Sequence, residues 1–394
     1  MHYNFDQKID RHHTNSVKWD VMEAVFGSGL PENALPLWVA DMDFAVAPPI
    51  QKAIQKRAEH PIFGYSFPGK EFFDTCIDWM SRRYGWQTES DWMVFSPGVV
   101  PILHMAVLTF TEPGDKVVSL TPVYGPFRAA CQGHGREFVS CPLVMDEHLH
   151  ANIDFEHLES LIDDKTKMLM LCNPHNPTGR SWSEEELRRL VEICCKHDLI
   201  IMSDEIHADF VYSGHKHIPV ASISPEAAAR TISAYAPSKS FNIAGLAASL
   251  AVIPNAELRD KFKAVKGSYS YSGNLFAYPA LQAAWSQCDD WLDQLLTYLE
   301  GNRDYLVNAF SQEIPHIKVG CPEATYLLWL DCRELMAAKG LEDEKALHNY
   351  FSHDLGLCLN AGSFFGPEGE GFLRLNYGCP RQVLEEAVSR LAKA

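Results

Sequence analysis

No run of apolar residues in this chain is long enough to cross a bilayer as a helix, so a helical membrane protein is not expected. The opening Met1-His2-Tyr3-Asn4-Phe5-Asp6 lacks the apolar stretch of a secretion signal, and a cytoplasmic protein is expected. Positive charge is also short. There are 34 Lys and Arg against 51 Asp and Glu, a formal net charge of −17. That balance repels phosphate backbones and argues against a nucleic-acid partner. The eleven cysteines form no C-x-x-C pair and no regular spacing, so they read as small buried residues in a reducing compartment. His12-His13 and His215-Lys216-His217 have no acidic or Cys set nearby to complete a metal site, and no metal is expected. Internal repeats and low-complexity tracts are absent.

What is present is an ordinary globular composition, 46% apolar and 22% charged, over 394 residues, a length that suits two domains. Short continuous apolar runs predict strands at Lys116 to Leu120, Met168 to Cys172, Leu199 to Met202, Thr231 to Tyr235 and Ala247 to Ile253. Runs of this kind suit strands covered on both faces, as in a parallel sheet. Between them lie helices, the clearest from Ser183 to His197. There Ser183 and Glu186 make an S-x-x-E capping box, and Leu187, Leu190, Val191 and Cys194 share a face. The series predicts a doubly wound α/β domain with a mostly parallel sheet over 46–284. From about Trp285 the pattern changes to a long helical stretch over 285–312. Short strands follow at Tyr326 to Leu330 and Phe372 to Asn376. Segments 1–45 and 285–394 are expected to form a smaller α+β domain.

Ligands of such sheets sit at the C-terminal ends of strands, and Tyr124, Asn173 to Gly179, and Asp204 each follow a predicted strand. The loop Asn173-Pro174-His175-Asn176-Pro177-Thr178-Gly179-Arg180 alone reads as a tight turn. Asp204 lies 28 residues after Asn176, however, and Lys239 lies 35 beyond that, within Ala236-Pro237-Ser238-Lys239-Ser240-Phe241-Asn242. A Lys can hold an aldehyde as a Schiff base, an Asp can keep a pyridine nitrogen protonated, and an Asn can hydrogen-bond a ring hydroxyl. That order points to pyridoxal 5'-phosphate.

On these residues the chain resembles the aspartate-aminotransferase superfamily of pyridoxal phosphate enzymes, fold type I. The resemblance implies that Lys239 bonds the cofactor, Asp204 pairs with the ring nitrogen and Asn176 donates to the ring hydroxyl. His207 stands where many relatives carry a Tyr for the same oxygen. Ser96-Pro97-Gly98-Val99-Val100-Pro101 resembles the phosphate-cradling turn at a helix start, with the amides of Val99 and Val100 as donors. Tyr124 is similar to the aromatic residue that stacks on the ring, and Arg374 to the one that forks onto the substrate α-carboxylate. Two common phosphate ligands are replaced by Ala236 and Ala247, which shifts weight onto Ser238 and Tyr65. The resemblance implies that Tyr65 reaches into the neighbouring subunit's site, hence a homodimer with shared active sites.

The opening is similar to one branch in particular. Asn4-Phe5-Asp6, Asp10-Arg11, Thr14-Asn15-Ser16-Val17-Lys18-Trp19-Asp20, Leu37-Trp38-Val39-Ala40-Asp41-Met42-Asp43-Phe44 and Asn360-Ala361-Gly362-Ser363-Phe364-Phe365-Gly366 resemble the bacterial cystathionine β-lyase (C–S lyase, MalY/PatB) branch. This implies α,β-elimination from a small amino-acid substrate carrying a β-sulfur. Two alternatives stay open. One is an aminotransferase of aromatic or broad range; the other is a lyase that also regulates through a protein partner.

Overall fold

The computed structural model describes residues 2–269 and 273–393. Seven strands form the main sheet: β1 (Met93–Ser96), β2 (Lys116–Thr121), β3 (Glu137–Pro142), β4 (Thr166–Cys172), β5 (Ile200–Asp204), β6 (Thr231–Tyr235) and β7 (Ser249–Val252). Their order is β1-β7-β6-β5-β4-β2-β3. β7 is antiparallel to both neighbours, and the other strands run parallel to one another. The apolar run Ala247 to Ile253 therefore does not mark a parallel strand. An apolar run reports burial on both faces and carries no direction.

Strand β4 shows why the runs are continuous. Met168 and Met170 pack with Ile102, Leu103 and Ala106 of the helix Val99–Phe110 on one face. Leu169 and Leu171 pack with Leu187, Leu190 and Val191 of the helix Glu184–Lys196 on the other. Side chains alternate across a strand, so a strand between two helical layers needs apolar residues at every position. The second helix begins as its capping box predicts. The Ser183 hydroxyl accepts from the Glu186 amide, and the Glu186 carboxylate accepts from the Ser183 amide.

A second, four-stranded antiparallel sheet contains β8 (Lys318–Val319), β9 (Leu327–Asp331), β10 (Asn360–Ala361) and β11 (Phe372–Asn376), in the order β8-β9-β11-β10. The helical stretch predicted over 285–312 is two helices, Ala277–Gln287 and Asp289–Glu313, with a break at Cys288. Residues Leu35–Pro36 pair in parallel with Leu357–Cys358, which ties the N-terminal segment to the C-terminal part of the chain. From there the segment 37–44 runs across to the ends of the main sheet. Asn242 holds it by accepting from the Met42 amide and donating to the Met42 and Phe44 carbonyls.

Candidate active site

The parallel strands release the chain at one edge of the sheet, and a cavity of about 380 Å³ lies there. Such a volume suits a small cofactor with its substrate. Each strand delivers its residue. After β1 come Gly98, Val99 and Val100; after β2, Tyr124; after β4, Asn176. β5 ends in Asp204, with His207 three residues on, and β6 leads into Ser238 and Lys239. β11 supplies Arg374 from the second sheet. All of these line the one cavity. Of the residues singled out in the sequence, Tyr65 is not brought there; it is fully exposed, beside exposed Ile62, Phe63 and Phe67.

Lys239 sits in a one-turn helix, Pro237–Ser240, and its Nζ donates to the Ala40 carbonyl at 2.6 Å. Burial, reinforced by the Arg374 charge, brings its pKa down to about 8. Asp204 accepts from the Ile206 amide at 3.1 Å, and burial lifts its carboxyl to about 7. Such a carboxyl is short of a cation, and a protonated ring nitrogen is the partner that restores its ionised form.

Arg374 is buried and has no acidic partner within salt-bridge distance among the described residues. Its Nη1 donates to Asn176 Oδ1 at 3.1 Å, and its Nη2 to the Trp38 carbonyl at 2.8 Å and Asn360 Oδ1 at 2.6 Å. Its Nε is buried with no hydrogen-bond partner. The guanidinium also lies over the Phe365 ring at 4.8 Å. A buried cation held by neutral acceptors alone is set to receive an anion, and the planar fork matches a carboxylate.

Arginine has no acceptor, so the Asn176 atom bonded to it must be the amide oxygen. The Asn176 NH₂ is thereby left as a donor for the cavity. His207 is buried, its Nδ1 has no partner, and burial holds its pKa far below the usual range, so it is a neutral imidazole. Tyr124 is half-buried, and burial raises its phenol pKa. The helix Val99–Phe110 starts without a side-chain cap, so its first amides are free for an anion. Its N-cap, Gly98, already meets the Pro101 ring at 3.3 Å where a Cβ would stand. The set of a buried amine, an acid short of a cation, an amide donor and open helix amides could hold pyridoxal phosphate. Among the described residues no cluster could hold a metal ion.

Trp38, Ala40 and Asn360 also belong to the site, although sequence reasoning gave them no role. Trp38 and Ala40 act through backbone carbonyls, which any residue carries, and Asn360 acts through one amide oxygen. Their only sequence signal was membership of the two segments that resemble the lyase branch.

The state of Asp204 has a measurable consequence. Its folded pKa lies above its unfolded value, so the fold binds the proton more tightly. The stability penalty is absent below pH 4, grows as pH rises, and is complete above pH 7, on the order of 4 kcal/mol. Asp204→Asn should therefore raise the melting temperature of the cofactor-free protein at pH 8 and about half as much at pH 5.5. Turnover by the loaded enzyme should fall by at least about 100-fold. Thermal melts at the two pH values check the first statement.

The family model described as aminotransferase class I and II matches residues 32–391. The chain is 44% identical to cystathionine beta-lyase PatB of Bacillus subtilis (strain 168), covering 99% of each protein. It is 34% identical to protein MalY of Escherichia coli (strain K12), covering 100% of this chain and 98% of that one. The crystal structure of a PLP-bound C-S lyase from Staphylococcus hominis superposes with a TM-score of 0.93 at 33% identity, over 100% of this chain and 98% of the other. With a family model that spans nearly the whole chain and relatives of matching length, this protein belongs to the aminotransferase class I and II family.

Proposed function

We propose that this protein is a pyridoxal phosphate-dependent carbon–sulfur β-lyase acting on L-cysteine thioethers, L-cystathionine among them. The observation that carries this reading is one cavity holding Lys239, Asp204 and an Arg374 without an acidic partner, in a chain similar over its whole length to a cystathionine β-lyase. The overall reaction consumes one water. The thioether gives a thiol, pyruvate and ammonium, and the sulfur leaves with the electron pair of the Cβ–S bond.

Pyridoxal phosphate, when bound, supplies an aldehyde that bonds amines and a ring that draws electrons from the carbon next to that nitrogen. Lys239 Nζ would hold the cofactor, and the same amine, once released, would take the proton from the substrate Cα. Its lowered pKa gives a useful share of neutral amine near neutral pH. Arg374 receives the substrate α-carboxylate and so fixes which bonds of Cα are presented to Nζ. Asp204 would keep the ring nitrogen protonated, and Asn176 would donate to the ring hydroxyl oxygen with neutral His207 nearby. Tyr124 would offer its face to the ring. The amides of Val99 and Val100 and the hydroxyl of Ser238 would bind the phosphate.

Lys239 and Arg374 are the only Lys or Arg among the described lining residues, and Ile206, Ala244, Ala247, Ala248 and Phe364 supply apolar walls. Such a cavity offers no second cation to pair with a side-chain carboxylate, which disfavours an aspartate-specific aminotransferase. The test is substrate discrimination. L-cystathionine should be cleaved at least about 100-fold faster than L-aspartate or L-phenylalanine passes its amino group to 2-oxoglutarate, a gap of about 2.7 kcal/mol in barrier. Faster amino transfer would make the protein an aminotransferase of broad range.

The active unit in this reading is a homodimer. Ile62, Phe63, Tyr65 and Phe67 form an exposed apolar stretch, and a second copy of the chain is its proposed cover, with Tyr65 completing the partner's phosphate site. Light scattering should give twice the mass of 44.3 kDa. Tyr65→Ala should weaken cofactor retention, which equilibrium dialysis of the loaded protein measures.

A further inference from the structure

Five consecutive carbonyls, from Trp38 to Met42, each accept a hydrogen bond from a side chain remote in sequence. Trp38 accepts from Arg374 at 2.8 Å. Val39 accepts from Asn376 at 2.5 Å, and Ala40 from Lys239 at 2.6 Å and the Tyr326 hydroxyl at 2.8 Å. Asp41 accepts from Asn376 at 2.7 Å and Lys18 at 3.3 Å, and Met42 from Asn242 at 2.8 Å and Arg11 at 3.3 Å. The two cations of the cavity are thus both held by this strap.

Four charges anchor it. The Asp43 carboxylate accepts from Lys18 Nζ at 2.6 Å, Arg11 Nη1 at 2.7 Å and Trp19 Nε1 at 3.0 Å. Arg11 also forks onto Asp41, at 2.7 and 3.1 Å. Lys18 is wholly buried and Asp43 nearly so. Two cations against two carboxylates leave no net charge. Replacing such a buried pair with neutral groups is often harmless to stability, so stability alone is a weak reason for the cluster.

We infer that Asp43, held by Lys18 and Arg11, is a positioning residue: it sets the strap whose carbonyls place Arg374 and Lys239 in the cavity. The kinetic readout rests on the β-lyase reading. The binding and exchange readouts do not, so failure of one is distinguishable from failure of the other.

The experiment compares cofactor-loaded wild type, Asp43→Asn, and the double variant Lys18→Met/Asp43→Asn, which is again neutral. Four quantities are measured: melting temperature, the propionate Kd from the visible cofactor band, amide exchange of residues 37–44, and KM and kcat on L-cystathionine. Asp43→Asn should raise the propionate Kd and KM by about tenfold and lower kcat as well, because the strap holds both the Arg374 fork and the Lys239 amine. Exchange over 37–44 should rise. The double variant should regain the wild-type melting temperature while keeping the raised Kd. Either of two results overturns the inference. One is an unchanged Kd and exchange pattern in Asp43→Asn. The other is a double variant that regains both melting temperature and Kd, which would make the cluster structural support alone.

Discussion

Lys239→Ala should lower the turnover of L-cystathionine by at least about 10⁴-fold, because in the proposed function one substitution removes both the amine that would bond the cofactor and the base that would take the Cα proton. The loaded variant should also lose the absorption band of a lysine-bound cofactor. The protein itself should stay folded. Nζ makes a hydrogen bond to the Ala40 carbonyl, but it is a buried amine that feels the Arg374 charge. Its pKa falls from 10.5 to about 8, so the fold disfavours the charged form. The penalty begins as pH drops below 10.5 and is complete below about 8. Cofactor-free Lys239→Ala should therefore melt no lower than wild type at pH 7. Steady-state kinetics and a melt on the same preparation check both halves. A variant that keeps more than about one hundredth of wild-type turnover would remove Lys239 from the centre of the chemistry.

Arg374→Lys should cost about 10²- to 10³-fold in kcat/KM, nearly as much as Arg374→Ala, although charge is conserved. Arg374 has five N–H groups, and three are committed to Asn176, the Trp38 carbonyl and Asn360. An ammonium has three donors and no planar fork. It cannot serve those acceptors and a carboxylate together. The loss should appear chiefly in KM and in the affinity for simple carboxylates, with a secondary effect on kcat through Asn176. If Arg374→Lys instead matched wild type in KM, the α-carboxylate would have to bind elsewhere.

These two residues and Asp204 share one energetic character. A carboxyl lifted to about 7, an amine lowered to about 8 and a guanidinium without a counter-ion are each unfavourable alone. In the proposed function, cofactor and substrate supply the partners these groups lack, so binding would be paid for by local instability of the fold.

Much of this site was legible in the sequence because its chemistry is carried by side chains in fixed order behind strands. Asn176, Asp204 and Lys239 stand out as residue types, and the strand ends bring them together. The strands were legible where helices cover both faces, as at Met168 to Cys172. The two edge strands β1 and β3 were not: β1 is only four residues long, and the outer positions Glu137 and Pro142 of β3 are exposed. The reversed direction of β7 was hidden for a different reason: pairing direction leaves no mark on composition. Cys288 broke a helical stretch that amphipathic periodicity reads as continuous. The strap was hidden too. Ala40 meets Lys239 across 199 residues through a carbonyl oxygen, and nothing in the identity of an alanine announces that.

The decisive measurement is the count of products when purified, cofactor-loaded protein is given L-cystathionine and no keto acid. Elimination returns the cofactor to its starting state each cycle. Thiol and pyruvate should therefore appear one for one, over many turnovers per active site. A reaction that stops after one turnover per site, resumes only when a keto acid is added and releases no thiol would contradict the lyase assignment.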